Sequence, residues 1–191
     1  MGLLTVLLGM ILLMNEAGIF KVEKVRMRYC VAAAVVFTEL PLLITATEKR
    51  LRDPKNKYVL LGCAIMTVFI VCTMICFHTL PALILPMLLA AQYPSKRMGV
   101  VALIGSVICA VLSPICSLLS GCWDSNFLTY LVEIGYGSRF VPQLTSPMAD
   151  WETIRGILLF LSLPNAMILV GLYPLIRSVA GHGEERLKDE L

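Results

Sequence analysis

The amino-acid sequence predicts an all-α, polytopic membrane helical bundle of about six transmembrane helices, with the N and C termini in the cytoplasm. Hydrophobic residues make up 58% of the 191 residues, and charged residues only 15%, against about 25% in a soluble domain. The apolar residues form runs near the ~20 residues that a helix needs to cross a ~30 Å hydrocarbon core. The partner implied by this composition is the lipid bilayer, and a net charge of +3 is too small to imply nucleic acid.

Six apolar runs give the expected spans. The uncharged stretch 58–93 would extend roughly 54 Å as one helix, which is too long for one crossing. We therefore expect a hairpin that breaks near His78, Thr79 and Pro81, where polar side chains meet water. The spans are expected at about residues 2–20, 29–46, 58–76, 78–93, 98–120 and 156–176.

The remaining segments complete the predicted domain organisation: a transmembrane bundle over 1–177, an outer loop over 121–155, and the start of a cytoplasmic signalling helix over 178–191. Glu184 and Lys188 form an i,i+4 pair in this tail. A helical pattern that stops at Leu191 leads us to expect the N-terminal part of a longer protein. Residues 188–191 also match an endoplasmic-reticulum retrieval signal, which is read only in the lumen.

Basic residues set the expected orientation, because cytoplasmic loops retain Lys and Arg. The loop 47–57, the turn 94–97 and the tail from Arg177 together carry ten, whereas the opposite face carries six. The tail is therefore expected in the cytoplasm and the loop 121–155 outside. The four basic residues over 21–28 oppose this bias, and they fit either a short surface helix or a first segment that crosses incompletely.

Three polar residues within or between the apolar runs are ligand-sensing candidates. Glu39 lies in the second run, where a carboxylate must face the bundle, be protonated or pair. A sensing acid and a structural hydrogen bond to a neighbouring helix are both compatible with it. His78, at the expected hairpin turn, is either a pH-sensing group or a plain polar turn residue. Asn165 follows Pro164 inside the sixth span.

The loop 121–155 contributes the other ligand-sensing candidates, Trp123, Asp124 and Asn126. It combines aromatic and charged residues in a chain that is otherwise mostly apolar. One interpretation is an interfacial aromatic belt with solvated charges. The other is an aromatic-lined pocket above the bundle that binds an unknown small ligand.

Catalysis, metal binding and cofactor binding have no support in the sequence. Six of the seven cysteines lie in apolar runs, which argues against a disulfide framework. Cys72, Cys76 and His78 lie on one segment and cannot close a tetrahedral metal site. No Walker loop, dinucleotide fingerprint or HExxH motif is present. An enzyme acting on lipids would need clustered acids or histidines near one interface, and these residues are scattered.

Three stretches carry a resemblance to a known group of proteins. They run from Asn15 to Lys24 (with Met27 and Arg28), from Leu85 to Arg97 and from Gly121 to Leu128. They resemble the six-span N-terminal membrane regions of bacterial signalling proteins, which precede GGDEF or other cytoplasmic output domains. In the group's Cys-Asp-x-Asn pattern, Trp123 is here either inserted between Cys122 and Asp124 or stands in place of a spacer residue. The resemblance implies a multi-pass protein of the bacterial inner membrane and no catalytic residue within this chain.

Two functions remain open from the sequence. The first is a membrane-embedded sensory or input module that relays a signal to a cytoplasmic output domain not present in this chain, as a homodimer through the tail helix. The second is a small six-span transporter component, such as the substrate-binding subunit of an uptake system. A transporter subunit is expected to end after its last span, without a continuing helix.

Overall fold

The computed structural model describes residues 2–19, 22–45, 55–75, 80–93, 95–120 and 151–189, and every regular element in these ranges is helical. The all-α fold class is therefore confirmed. The elements are α1 (Gly2–Glu16), α2 (Lys24–Thr45), α3 (Asn56–Met74), a 3-10 turn (Leu80–Ile84), α4 (Leu85–Ala91), α5 (Lys96–Ser120), α6 (Trp151–Ile157), a π-helical segment (Leu158–Ser162) and α7 (Leu163–Asp189).

Four helical stretches within the described ranges are long and apolar enough to cross a membrane: Lys24–Ile44, Asn56–Met74, Lys96–Ser120 and Ile154–Val179. They indicate a membrane protein. The first and fourth expected spans form shorter helices: α1 has 15 residues, and α4 has seven after its 3-10 turn. The count of six crossings and the cytoplasmic termini stay predictions.

The second expected span begins earlier than its apolar run suggests. Helix α2 starts at Lys24, so Lys24, Arg26 and Arg28 lie in its first turns and do not form a separate surface helix. Cations at a helix N-terminus are unfavourable by themselves. Here Glu16 and Glu23 supply carboxylate partners for all three, which makes the extended helix possible.

Pro86 explains why the fourth apolar run forms only a short α-helix. It is the second residue of α4 and is fully buried. Because proline has no N–H, it cannot bond to the carbonyl one turn earlier, and α-helical hydrogen bonding does not extend back through it. The preceding residues Leu80–Ile84 adopt the tighter 3-10 turn.

Helix α3 lies at the centre of the fold, between two apolar clusters. One cluster joins α3 to α4, α5 and α7, with Leu61, Met87 and Met98 among its buried side chains. The other joins α3 to α1 and α2, through Met27 and Met74.

Helices α1 and α2 run antiparallel, with Thr5 bonded to Glu39 and Asn15 to Val22. Helices α3 and α5 run parallel, since Ile65 and Phe69 contact Cys109 and Ser113 in the same order, and the 3-10 turn and α4 return the chain between them. Residues near 16–24, 75–80, 120 and 151 therefore share one end of the bundle, here named end A. Residues near 55, 91–97 and 177 share the opposite end, named end B.

The last of these four stretches belongs to a helix that has no break from Trp151 to Asp189. At 1.5 Å per residue it extends roughly 58 Å, well beyond a ~30 Å hydrocarbon core. It passes through Gly181 and Gly183 without interruption. Its start at Trp151 shortens the expected loop, and residues 121–150 lie outside the described ranges.

Candidate functional site

The structure describes two of the six predicted site residues, Glu39 and Asn165. His78, Trp123, Asp124 and Asn126 lie outside the described residues. Glu39 belongs to α2 and Asn165 to α7. Neither residue lines either of two apolar grooves formed by the described residues.

Glu39 is bound to the first helix. The hydroxyl of Thr5 on α1 donates a hydrogen bond to Glu39 Oε1, at a partly buried position. This is the interhelical hydrogen bond that a carboxylate in an apolar span requires. It gives Glu39 a structural role in joining α1 to α2, whereas a sensing role stays a prediction.

Asn165 lies just after the π-helical segment, which is a distortion within the helix Trp151–Asp189. Pro164 has no N–H to donate to the preceding turn. The N–H of Leu163 bonds to the Leu158 carbonyl, five residues back, and Asn165 Nδ2 donates to the Leu161 carbonyl at 2.6 Å. The amide side chain therefore supplies a donor to the distorted turn. Such π segments often occur at functional positions.

The corner between α1 and α2 closes end A on one side. Gly18 has a φ of 79°, and the N–H groups of Gly18 and Ile19 donate to the carbonyls of Asn15 and Met14. This is a Schellman motif, in which glycine is favoured at the left-handed position. The Asn15 side chain is buried, and its Oδ1 accepts the N–H of Val22 at 3.2 Å. Its Nδ2 has no hydrogen-bond partner among the described residues.

Charged residues surround this corner. Arg28 donates from Nε to Glu16 Oε1 at 2.7 Å, and Lys24 Nζ lies 3.4 Å from Glu16 Oε2. Arg26 pairs with Glu23 at 2.5 Å and also donates to the backbone carbonyl of Ser120. The last bond joins the start of α2 to the end of α5, where residues 121–150 begin.

Helices α3 and α5 pack closely because α5 presents small residues to α3. A Cβ added at Gly105 would come within 2.5 Å of Ile65 Cδ1. The hydroxyl of Ser113 donates to the Phe69 carbonyl at 3.5 Å. Gly99 has the same relation to α7, since an added Cβ would lie 3.0 Å from the Tyr173 hydroxyl. Small residues allow such close approach in membranes, as the sequence of α5 predicts.

A groove of about 460 Å³ opens between the first and fourth helices, and we name it groove 1. Its floor is α3, from Leu60 to Val71, and its walls include Leu7 of α1 and Leu85 of α4. Its volume falls in the range of small-molecule sites. Thr38, Thr67 and Gln92 are the polar residues of its lining, and the two threonine hydroxyls lie 3.3 Å apart within hydrogen-bonding distance.

A second groove, groove 2, lies on the other side of α4. It has a volume of about 360 Å³ and is lined by Leu88, Ala91 and Gln92 together with Leu175, Ile176 and Val179 of α7. Leu88 and Gln92 therefore border both grooves. Gln92 is exposed and lies at end B.

Three basic side chains lie near the two grooves at end B. Lys96 and Arg97 are exposed in the first turn of α5. The stem of Arg177 lies against the same turn, with its Cδ 3.5 Å from the Cβ position of Gly99. Within the described ranges, no carboxylate is ion-paired with these three side chains.

Sequence reasoning missed Thr5, Thr38, Thr67 and Gln92. Single hydroxyls in apolar helices are common, and their partners come from helices distant in sequence, so local patterns give no signal. Gln92 offered a weak signal, as the one amide at the end of a long uncharged run. Cys63, Cys109 and Cys116 are free cysteines. Among the described residues, no group of three His, Cys, Asp or Glu could hold a metal ion.

No family model, curated protein or solved structure matches the chain.

Proposed function

We propose that this protein is a membrane-embedded sensory or input module that relays a signal to a cytoplasmic output domain. The observation that supports it most directly is the unbroken helix Trp151–Asp189. This helix begins at end A, forms the last span and continues about fifteen ångströms beyond Val179. A continuous helix carries a rotation or translation from one end to the other.

The π-helical segment gives this helix a place where such a movement can start. Converting a π turn into a regular α turn changes the phase of the helix by one residue, about 100°. Ser162, in this segment, is buried, and its hydroxyl has no hydrogen-bond partner among the described residues. A turn with an unsatisfied polar group is less stable than a regular turn, so a modest signal is enough to change its state.

The contacts at end A connect this helix to its surroundings. Arg26 fixes the start of α2 to the end of α5, and α5 packs against both the π-helical segment and α7. An event outside the bundle that moves the end of α5 is thereby passed to the last span. In this proposal the protein acts in a bacterial inner membrane and dimerises through the tail helix.

The test varies the helical phase between the last span and the reporter domain. One to seven alanines are inserted after Val179, ahead of a diguanylate cyclase reporter joined to the tail, and cyclic di-GMP is measured in cells. A relay through a rigid helix predicts output that varies with a period near 3.6 insertions and recovers near four and seven. Equal output from all seven variants, at equal expression, would contradict the relay. Matched insertions in the loop 47–57 serve as the control.

The alternative, a small transporter component, draws support from groove 1, which could hold a substrate between α1 and α4. Its apolar lining favours an apolar substrate. Counterflow of a labelled substrate in proteoliposomes, abolished by filling the groove, would favour transport. A relay predicts periodic reporter output and no counterflow, so the two experiments separate the functions.

A further inference from the structure

Grooves 1 and 2 have the shape of a site for a molecule with two apolar chains. They lie on opposite sides of α4 and meet at Leu88 and Gln92. Groove 1 follows α3 from Leu60 to Val71, which is roughly 16 Å along the helix axis. An elongated, apolar groove of this length fits an extended hydrocarbon chain better than a compact ligand.

The polar groups of this region lie at two depths, and only Gln92 lies at end B. The hydroxyls of Thr38 and Thr67 are within hydrogen-bonding distance of each other, and Thr38 also donates to the Ala34 carbonyl at 2.8 Å. The deeper part of groove 1 therefore offers hydroxyls that already have partners. Gln92, at end B, remains as the polar group that both grooves share. An occupant should accordingly place its apolar chains in the grooves and its polar group at end B.

The basic side chains at end B indicate that the polar group of the occupant is negatively charged. Lys96, Arg97 and Arg177 come together around the first turn of α5, without an ion-paired carboxylate among the described residues. Clustered cations at a membrane surface attract anionic lipid headgroups, each contributing favourably within a Debye length. Arg177 directly follows Ile176, which lines groove 2, so cations and groove are adjacent.

We propose that grooves 1 and 2 bind one anionic glycerophospholipid. Its two acyl chains lie on either side of α4, and its phosphate lies near Gln92, Lys96, Arg97 and Arg177. The site goes beyond the relay proposed above and does not require it, because lipid binding is a property of this chain alone.

The experiment measures lipid binding to the purified full chain in detergent by native mass spectrometry. Phosphatidylglycerol and phosphatidylcholine with identical acyl chains are titrated separately. The proposal predicts one saturable phosphatidylglycerol per chain, with phosphatidylcholine binding at least tenfold weaker. Equal affinity for the two lipids would overturn it, since the headgroup cations would then have no role.

Two sets of variants locate the site. Leu88→Trp fills both grooves from a position that is 47% exposed. It should weaken the binding of both lipids at least tenfold. The control Ile104→Trp, exposed and outside both grooves, should leave binding unchanged. The triple change Lys96→Gln, Arg97→Gln and Arg177→Gln should weaken the binding of phosphatidylglycerol alone, by about tenfold or more. Arg155→Gln, exposed and at end A, is its control.

Three further results would overturn the proposal. Unchanged phosphatidylglycerol binding in Leu88→Trp would place the lipid elsewhere. Equal losses from Leu88→Trp and Ile104→Trp would show nonspecific annular binding. A dimer that is present in the parent protein and dissociates in Leu88→Trp, without a change in lipid binding, would assign the grooves to a second copy of the chain. Circular dichroism confirms that each variant retains its helical content.

Discussion

Gly105 of α5 faces Ile65 of α3 so closely that an added Cβ would lie 2.5 Å from Ile65 Cδ1 and 3.1 Å from Cγ1. Gly105→Ala therefore requires Ile65 to change its rotamer or the helices to separate. We expect the free energy of unfolding in detergent to fall by about 1 kcal/mol. In an Ile65→Val background, which lacks Cδ1, most of this loss should disappear.

The matched control for this prediction is Gly62→Ala on α3. No atom lies within 4 Å of a Cβ added there, so the change should be neutral or slightly stabilising. Equal losses at Gly62 and Gly105 would show that helix propensity, and not the contact with Ile65, determines the effect. A double-mutant cycle between Gly105→Ala and Ile65→Val gives the contact energy directly.

Asn15 should contribute more to stability than the charged residue beside it. Asn15→Ala removes the acceptor of the Val22 N–H in a buried environment. An unsatisfied buried N–H costs about 1–3 kcal/mol, and equilibrium unfolding should show a loss of that size. Glu16→Gln affects an exposed ion pair and should change stability little, because such pairs are weak. A larger effect from Glu16→Gln would mean that the ion pairs, and not the Asn15 cap, hold the corner.

The sequence predicts the helical class and the membrane setting because hydrophobic runs and depleted charge are properties of composition. It also predicts the close approach of α5 to its neighbours, since Gly99 and Gly105 are visible as small residues in an apolar run. It does not predict α2 beginning at Lys24, because that depends on Glu16 across the corner. The Thr5–Glu39 bond joins residues that are distant in sequence, so its partner could be named only as a hydroxyl or amide on a neighbouring helix.

The bond between Thr5 and Glu39 can be tested with an isosteric change. Thr5→Val removes the hydroxyl donor and keeps the shape, which leaves Glu39 without its described partner. We expect a loss of about 1–3 kcal/mol in unfolding free energy. In a Glu39→Leu background the same change should have almost no effect, because neither polar group remains. Glu39→Gln keeps an acceptor oxygen and should be milder than Thr5→Val.

The orientation of the bundle can be tested by labelling its two ends. In a cysteine-free background, Lys24→Cys lies at end A and Lys96→Cys at end B, and both positions are exposed. The charge bias predicts that an impermeant maleimide added to intact cells modifies Lys24→Cys, and modifies Lys96→Cys only after permeabilisation. The reverse pattern would invert the orientation. Labelling of both from outside would contradict antiparallel packing across a membrane.

Pro164 should maintain the π-helical segment, and its replacement reports on the proposed movement. Pro164→Ala restores an N–H that can bond to the carbonyl four residues earlier, which favours a regular α turn. The phase change of about 100° turns α6 and α7 relative to each other. Trp151, on α6, is 70% exposed. In a Trp123→Phe background it is the one remaining tryptophan, and the rotation of α6 should change its fluorescence emission. Pro174→Ala, in α7 and outside the π segment, should leave the emission unchanged. Identical spectra for Pro164→Ala and the parent would show that the π segment does not depend on Pro164.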